Sequence, residues 1–186
     1  IRTYPLAFVT MVFLAMLGAE VASGNPELNI SLTGLSVLDQ NGKQVDFYQD
    51  LIKDKTVAIN FIFTRCTASC PLSTAIFRQV QKKLGKQKVQ LISISVDPVN
   101  DTPERLLEFC KTYKTEPGWI FVTGEKSTIA ELLKSLGAYS ADRNQHSNMV
   151  IVGNAAAKQW TRLYGFPQAD VIMAATKTIA GVNQTK

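Results

Sequence analysis

The sequence is short of the side chains that build zinc sites and disulfide frameworks. Among 186 residues it has three cysteines, Cys66, Cys70 and Cys110, and one histidine, His146. A structural zinc site takes four Cys or His ligands. Cys110 falls at core spacing within a predicted helix, so such a site is disfavoured. A chain of this length with 46% apolar residues can build a core without disulfide bonds.

Long basic runs and low-complexity segments are also missing. Lys and Arg total 20 against 15 Asp and Glu, which gives a net charge of +5. The basic residues cluster only as far as residues 82–83 and 86–88. A scattered excess does not form the basic stripe that binds nucleic acid, so we expect no nucleic-acid partner. With few glycines and prolines and no internal repeat, the composition predicts one globular domain with a short extension.

An apolar stretch stands near the N-terminus. It covers residues 5–19, which is short for a membrane span of ~20 residues but typical of the apolar region of a signal peptide. Arg2 precedes it, and residues 21–23 (Val-Ala-Ser) are small enough for signal cleavage. We therefore expect residues 1–24 to be a signal peptide or membrane anchor and residues 25–186 to be the folded domain; a buried core helix is the alternative. Export would place the cysteines where disulfides can form.

Beyond the N-terminal segment, the apolar pattern alternates between strands and helices, which is typical of an α/β sheet. An N-terminal β-hairpin is predicted over residues 30–47, with Asn41-Gly42 in a type I′ turn. Residues 56–64 (TVAINFIFT) are almost all apolar and predict a strand buried on both faces. A closing hairpin is predicted through Gly153-Asn154. Further strands are predicted at residues 88–96 and 119–123, and helices from Pro71, from Pro103 behind an N-cap at Thr102, around residues 129–136 and after Pro167.

The segment TRCTASCPLS (residues 64–73) places two cysteines between a central strand and a helix. Cys66 lies just past the predicted strand, at the carboxyl edge where α/β sheets bind ligands. Cys70 is predicted to be the N-cap of the next helix, because Pro71 favours the first helical position. A helix N-terminus stabilises a thiolate, and Arg65 adds a positive charge beside it. Cys70 is therefore expected to be an acidic, reactive thiol.

The spacing of the two cysteines leaves several functions open. Side chains four residues apart on a helix lie about 5–6 Å from each other, and a loop before Pro71 can bring them closer, as a disulfide requires. The pair could cycle between dithiol and disulfide, hold a soft cation, or simply pack in the core. His146 ends a polar loop before an apolar strand. If the sheet brings it to Cys66 and Cys70, two thiolates and one imidazole would suit copper, above all Cu(I).

Four motifs, FTRCTASCP, SISVDPVNDTPERL, WIFVTG and HSNMVIVGN, stand in this order within the segment from about Leu28 to Leu163. Together they resemble the Sco/SenC family of copper-binding proteins. The resemblance implies a thioredoxin-like fold, with a central mixed sheet flanked by helices. It also implies that the redox pair Cys66 and Cys70, together with His146, binds a copper ion.

The same resemblance implies a location and partners. Proteins of this family are exported, are often tethered to the membrane, and serve the assembly of the binuclear copper centre of cytochrome c oxidase. The implied location is the periplasm or the outer face of the inner membrane, with the N-terminal apolar segment as the membrane contact. The implied partner is the copper-accepting subunit of the oxidase. Because copper loading needs the thiolate forms, a thiol reductant protein is expected as a second partner.

The chain departs from the commoner family pattern near both ligand positions. An acidic residue often lies between the two cysteines and another directly before the histidine, whereas here residues 67–69 are Thr-Ala-Ser and residue 145 is Gln. Asp142 lies four residues before His146 instead. These changes leave the ligands in place but remove acceptors that could orient them.

Three hypotheses about function follow. The first is a copper chaperone that delivers copper to, or helps assemble, the binuclear oxidase centre. The second is a thiol–disulfide oxidoreductase that keeps the copper-ligand cysteines of a client reduced, with Cys70 as the more acidic thiol and Cys66 as its partner; it needs no metal. The third is a peroxiredoxin-like peroxidase, because Thr67, Cys70 and Pro71 echo the end of that family's motif.

Overall fold

The computed structural model describes residues 32–85 and 87–182. The predicted signal peptide or anchor, residues 1–24, lies outside the described residues, as do residues 30–31 of the predicted hairpin. Of the helices in the described part of the chain, none has the length and apolar character needed to cross a membrane. Within the same part, seven strands and four α-helices form: β1 (Ser36–Asp39), β2 (Gln44–Asp46), β3 (Thr56–Ile62), α1 (Ser69–Leu84), β4 (Val89–Ser95), α2 (Pro103–Thr112), β5 (Trp119–Thr123), α3 (Lys126–Ser135), β6 (Met149–Asn154), β7 (Gln159–Tyr164) and α4 (Ala169–Val182).

The strands form one mixed sheet in the order β2-β1-β5-β4-β3-β6-β7. The central strands β3, β4 and β5 are parallel. Strand β1 runs antiparallel to β5, and β6 runs antiparallel to β3. Every residue of β3 is buried, as the apolar run predicted for a strand covered on both faces. The predicted mixed sheet and the N-terminal hairpin β1–β2 are confirmed.

Helices cover both faces of this sheet, because successive side chains of a strand point to opposite faces. In β3, Val57 and Ile59 belong to the core that α3 helps to form. Ala58 and Ile62, which alternate with them, belong to the core formed with α1, α2 and α4. The sheet is therefore the middle layer of three, and its carboxyl edge stays free for the loops that carry the cysteines.

The first hairpin turns differently from the predicted type I′ turn. Only Gly42 in the turn has a positive φ, of 77°, whereas a type I′ turn needs positive φ at both central residues. The Gly42 N–H donates to the Asp39 carbonyl at 3.0 Å, and the Asp39 N–H donates to the Lys43 carbonyl at 2.9 Å. The Asp39 carboxylate also accepts from the N–H groups of Asn41 and Lys43. This carboxylate supports a three-residue loop, so the prediction of the turn type was wrong.

The closing hairpin turns later than predicted. Gly153 and Asn154 belong to β6, and the turn lies at residues 155–158, where Lys158 has a φ of 53°. Gly153 pairs with Trp160 across the two strands. A Cβ atom at Gly153 would overlap the indole ring of Trp160. The glycine is therefore needed for close packing within the strand rather than for a turn.

Candidate functional site

The loop before β6 meets the loop after β3 at one edge of the sheet. Strand β6 is antiparallel to β3, with Asn60 opposite Val150, so the residues that follow β3 face those that precede β6. The rings of Phe63 and His146 make an edge contact there, with their centroids 5.8 Å apart. The fold thus brings the lone histidine to the same edge as the loop that carries Cys66.

Helix α1 begins at Ser69, two residues earlier than predicted, with Ala68 as its N-cap. Cys70 therefore lies inside the first turn, and its side chain is buried, at 1% exposure. The Cys70 backbone N–H donates to the Sγ of Cys66 at 3.3 Å, and the Ser69 Oγ lies 3.6 Å from the same sulfur. The free N–H end of the helix thus donates to the sulfur of Cys66, which is partly exposed.

The two thiols consequently have very different acidities. Partial burial raises the pKa of Cys66, but hydrogen bonds from the backbone of Cys70, the Ser69 hydroxyl, the Cys70 side chain and the backbone of Ala68 together lower it to about 7. Burial raises the pKa of Cys70 to about 12, although hydrogen bonding with the backbone of Phe63 opposes this. The prediction that Cys70 is the acidic thiol was wrong. Cys66 is the acidic and accessible member of the pair.

His146 presents a free nitrogen in a buried setting. Its side chain is 7% exposed, and its Nδ1 lies 2.6 Å from the carbonyl oxygen of Arg143. Because a carbonyl can only accept, Nδ1 carries the hydrogen and Nε2 of the neutral ring keeps its lone pair. Nε2 is buried and has no hydrogen-bond partner within the described residues. A neutral imidazole oriented by a backbone carbonyl is the usual form of a histidine metal ligand.

A chain of contacts holds the histidine loop in place. Arg143 forms an ion pair with Asp97, at 2.8 Å between Nη1 and Oδ2, and its guanidinium lies 5.8 Å from the centroid of the Phe63 ring. Asp142 accepts from the Asn144 N–H at 2.9 Å and so caps the short helical turn before His146. Sequence reasoning missed this role of Asp97, because an aspartate after a strand is ordinarily explained by a turn.

A second buried carboxylate anchors the cysteine loop. Asp101 is completely buried and accepts hydrogen bonds from the Thr64 hydroxyl and the Ser95 hydroxyl, each at 2.6 Å. It also accepts from the Thr64 N–H at 3.1 Å. Burial raises the pKa of Asp101. Because Thr64 lies two residues before Cys66, this carboxylate fixes where the cysteine loop leaves β3.

The described residues do not contain a closed metal cluster. Among residues 32–85 and 87–182, no three His, Cys, Asp or Glu side chains lie close enough together to hold a metal ion. Cys66 and Cys70 are together, as free thiols, and His146 lies at the same edge without joining them. Cys110 is buried in the core with α2, and burial raises its pKa. The arrangement is suited to thiol–disulfide exchange and, if the histidine loop moves, to binding a soft metal.

Comparison with known proteins agrees with this geometry. The SCO1/SenC family model matches residues 32–180. A SCO1 protein homolog of Bacillus subtilis (strain 168) is 35% identical over 133 residues, which cover 69% of this chain and 68% of that protein. In other curated relatives that match, the alignment covers 50–56% of their length.

Solved structures share the same architecture. BsSco, described as a member of the Sco family of cytochrome c oxidase assembly proteins with a disulfide switch, has a TM-score of 0.68 at 30% identity, covering 81% of this chain and 92% of that one. Copper-bound ScoI of Bradyrhizobium japonicum has a TM-score of 0.65 at 25% identity, covering 78% and 96%. With a family model spanning most of the chain and the thioredoxin-like sheet in common, this chain belongs to the SCO1/SenC family.

Proposed function

We propose that this protein binds a copper ion through Cys66, Cys70 and His146 and passes it to the copper-accepting subunit of cytochrome c oxidase. The observation that carries the proposal is the Nε2 atom of His146, which is buried without a partner at the edge that carries the dithiol. A buried polar atom is ordinarily hydrogen-bonded, so an unpaired lone pair here fits a ligand that is added later. Copper in the structure of the Bradyrhizobium relative supports the choice of metal.

The residues of the pair would act in order of acidity. Cys66, with a pKa of about 7, supplies a thiolate at neutral pH and is the first sulfur to bind. Cys70 gives up its proton to solvent as its sulfur joins, because a metal takes the thiolate form. His146 then adds Nε2, which needs no deprotonation. In transfer, thiolates of the client replace these ligands one at a time, and Cys70 takes a proton again.

Closing the site requires a movement of the histidine loop. The ion pair between Asp97 and Arg143 and the contact of Arg143 with Phe63 hold the loop where His146 stands apart from the sulfurs. Arg143 is partly exposed whereas Asp97 is buried, so this half-buried ion pair is worth about 1–3 kcal/mol. Coordination of a copper ion can offset a cost of that size.

Copper binding by the reduced protein tests the proposal. The wild type is expected to bind copper in a one-to-one complex with a thiolate-to-copper absorption band, and Cys66→Ser and His146→Ala are each expected to weaken it at least tenfold. Cys110→Ser is the matched control, because Cys110 lies in the core with α2, and it should bind as the wild type does. Wild-type stoichiometry and affinity in both Cys66→Ser and His146→Ala would refute the site.

A second function, thiol–disulfide oxidoreductase, is favoured by the difference between the two thiols. The Cys66 thiolate attacks one sulfur of a client disulfide; that bond breaks, a mixed disulfide forms, and the other client sulfur leaves as a thiolate. Cys70 loses its proton to solvent and attacks Cys66, which releases the second client thiolate and leaves a Cys66–Cys70 disulfide. Two electrons pass to the client, and a thiol reductant protein must restore the pair. The roles of the two cysteines are the reverse of those predicted.

This second function has its own test. The metal-free wild type is expected to reduce a client disulfide and to show a reduction potential in the range of known exchange catalysts. Failure to reduce any disulfide would exclude it while leaving copper binding intact. A peroxiredoxin-like activity fits the structure less well, because its nucleophile would be Cys70, whose pKa of about 12 leaves almost no thiolate.

The proposed location follows from the N-terminal segment. We propose that residues 1–24 direct export and that residues 25–186 act in the periplasm or at the outer face of the inner membrane, held there if the segment stays uncleaved. Fractionation of cells that produce the full chain, followed by N-terminal sequencing of the mature protein, tests both statements. A protein recovered uncleaved and with the cytosolic fraction would refute them.

A further inference from the structure

A cleft opens beside the cysteine loop, against helix α2. It has a volume of about 460 Å³, which is within the range of ligand-binding pockets. Its lining includes Arg65, the neighbour of Cys66, together with Arg105, Glu108 and Phe109 of α2 and Tyr113 at the end of that helix. We call these five residues the arginine cleft.

The arginine cleft lies close to the dithiol in space as well as along the chain, because the charges of both cysteines act on Tyr113. Burial and the nearby charges of Cys70 and Cys66 raise the pKa of Tyr113. The rings of Tyr113 and Phe109 are in contact, with centroids 4.4 Å apart. Both rings line the cleft, so an occupant would contact aromatic surface beside Arg65, the residue that precedes Cys66.

The cleft carries an excess of positive charge that the described structure does not neutralise. Arg65 and Arg105 are exposed, and within residues 32–85 and 87–182 neither forms an ion pair. Glu108 supplies one negative charge against the two guanidinium groups. Guanidinium groups bind carboxylates with paired hydrogen bonds, and the aromatic rings in the lining suit the methylene groups of a glutamate side chain.

We propose that the arginine cleft binds an acidic side chain of a client peptide whose own cysteine reacts at Cys66. This inference rests on the dithiol chemistry proposed above and adds the recognition that selects its client. Because Arg65 adjoins Cys66 and an extended chain rises about 3.3 Å per residue, the acidic residue lies within about three residues of the client cysteine. The carboxylate stays bound while the mixed disulfide forms.

Disulfide exchange with synthetic peptides tests this proposal directly. Three six-residue peptides would carry one cysteine activated as its mixed disulfide with 2-thiopyridine, and would differ only in having Glu, Gln or Lys two residues from that cysteine. Attack by the Cys66 thiolate on the peptide sulfur breaks the disulfide and releases thiopyridone, which is measured by its absorbance. The metal-free, reduced protein would be used, so that copper binding does not enter the result.

The wild type is expected to react about fivefold faster with the Glu peptide than with the Lys peptide at low salt, which is the effect expected of exposed charge pairs. The preference should fall toward onefold at about 0.5 M salt, where charges are screened over a few ångströms. In Arg105→Gln the preference should fall below about twofold. Lys177→Gln, the matched control, removes one positive charge from α4, which packs on α1, β3, β6 and β7, and should keep the wild-type ratio.

The ratio of the rates with the Glu and Lys peptides is taken within each variant. A change in the reactivity of Cys66 itself alters both rates by the same factor and therefore cancels. A Glu-to-Lys ratio near one in the wild type, a ratio that survives Arg105→Gln, or an equal loss in Lys177→Gln would each overturn the proposal. Reaction with the Gln peptide shows separately that the dithiol exchanges disulfides. If the Gln peptide reacts while the ratio is near one, the exchange function stands and only the recognition fails. Absence of reaction with all three peptides would overturn both.

Discussion

The acidity of Cys66 predicts the reactivity of the reduced, metal-free protein. With a pKa of about 7, roughly half of Cys66 is thiolate at pH 7, against about 1% for a thiol of pKa 9, a gain of about 50-fold. A less basic thiolate is a weaker nucleophile, and a Brønsted coefficient of about 0.4–0.5 removes about 6- to 10-fold of that gain. Cys66 is therefore expected to react with a neutral disulfide about 5- to 8-fold faster than an ordinary cysteine at pH 7.

The assay is the pH profile of thiol labelling, with the labelled cysteine located by peptide mass spectrometry. The rate at Cys66 should rise with pH through a midpoint near 7, because the thiolate is the reacting form, while Cys70 should stay unlabelled until the pH approaches about 12. Ser69→Ala removes the hydroxyl that lies 3.6 Å from Cys66 Sγ and should move the midpoint upward. Thr67→Ala, in the same loop, is the control and should leave it unchanged.

Two results would refute this reasoning. The first is a midpoint for Cys66 at or above the ordinary thiol value of 9.0, which would mean that the N-terminal N–H groups of α1 do not stabilise its thiolate. The second is labelling of Cys70 before Cys66, which would restore the assignment made from the sequence. An unchanged midpoint in Ser69→Ala would show that the backbone donors alone set the acidity.

Three further changes test the packing of the domain and the hold on the histidine loop. Phe77→Ala should lower the free energy of unfolding by about 3–5 kcal/mol, measured by urea denaturation, because Phe77 is fully buried. Gly153→Ala should cost about 1–3 kcal/mol in the same assay and displace the Trp160 indole, seen as a change in tryptophan fluorescence. Asp97→Asn breaks the ion pair with Arg143 and, because Asp97 is buried, should cost about 1–3 kcal/mol, while proteolysis within the histidine loop should become faster.

Each of these three predictions has a control variant or a double variant. Leu72→Ala, on the same helix as Phe77 but half exposed, should change the free energy of unfolding by less than about 0.5 kcal/mol. Combining Gly153→Ala with Trp160→Ala should cost less than the sum of the two, since the overlap is removed. Arg143→Gln should speed proteolysis of the histidine loop as much as Asp97→Asn does. The double variant should be cleaved little faster than either single variant. Equal losses of stability in Leu72→Ala and Phe77→Ala would contradict the packing described. So would additive effects of the Gly153 and Trp160 substitutions, or of the Asp97 and Arg143 substitutions.

Local patterns in the sequence predicted the elements whose cause is itself local. The strand predicted at residues 119–123 has those bounds in the structure. The predicted N-cap Thr102 accepts a hydrogen bond from the Arg105 N–H, three residues away. The strand follows from a run of neighbouring apolar residues, and the cap joins a side chain to backbone within one helical turn, so the sequence carries the information.

The start of α1 shows where a local rule was insufficient. Pro71 was expected at the first helical position, yet it is the third residue of the helix, after Ser69 and Cys70. All the N–H groups of the first turn lack acceptors within the helix, so proline fits any of these positions and does not define the start. That shift of two residues moves Cys70 into the core and leaves the N-terminal N–H groups to Cys66.

The sequence by itself determined the alternation of strands and helices, the two hairpins and the cysteine pair after a buried strand, because alternating apolar residues and short-range caps act between near neighbours. The mixed sheet was implied by the family resemblance, since its order depends on pairing between distant strands. Only the tertiary structure decided which thiol is acidic, and which groups hold the two loops. Asp101 meets Thr64 from 37 residues away, and Arg143 meets Asp97 from 46 residues away. Burial and contacts over such separations depend on how the whole sheet packs, and no spacing along the chain encodes them.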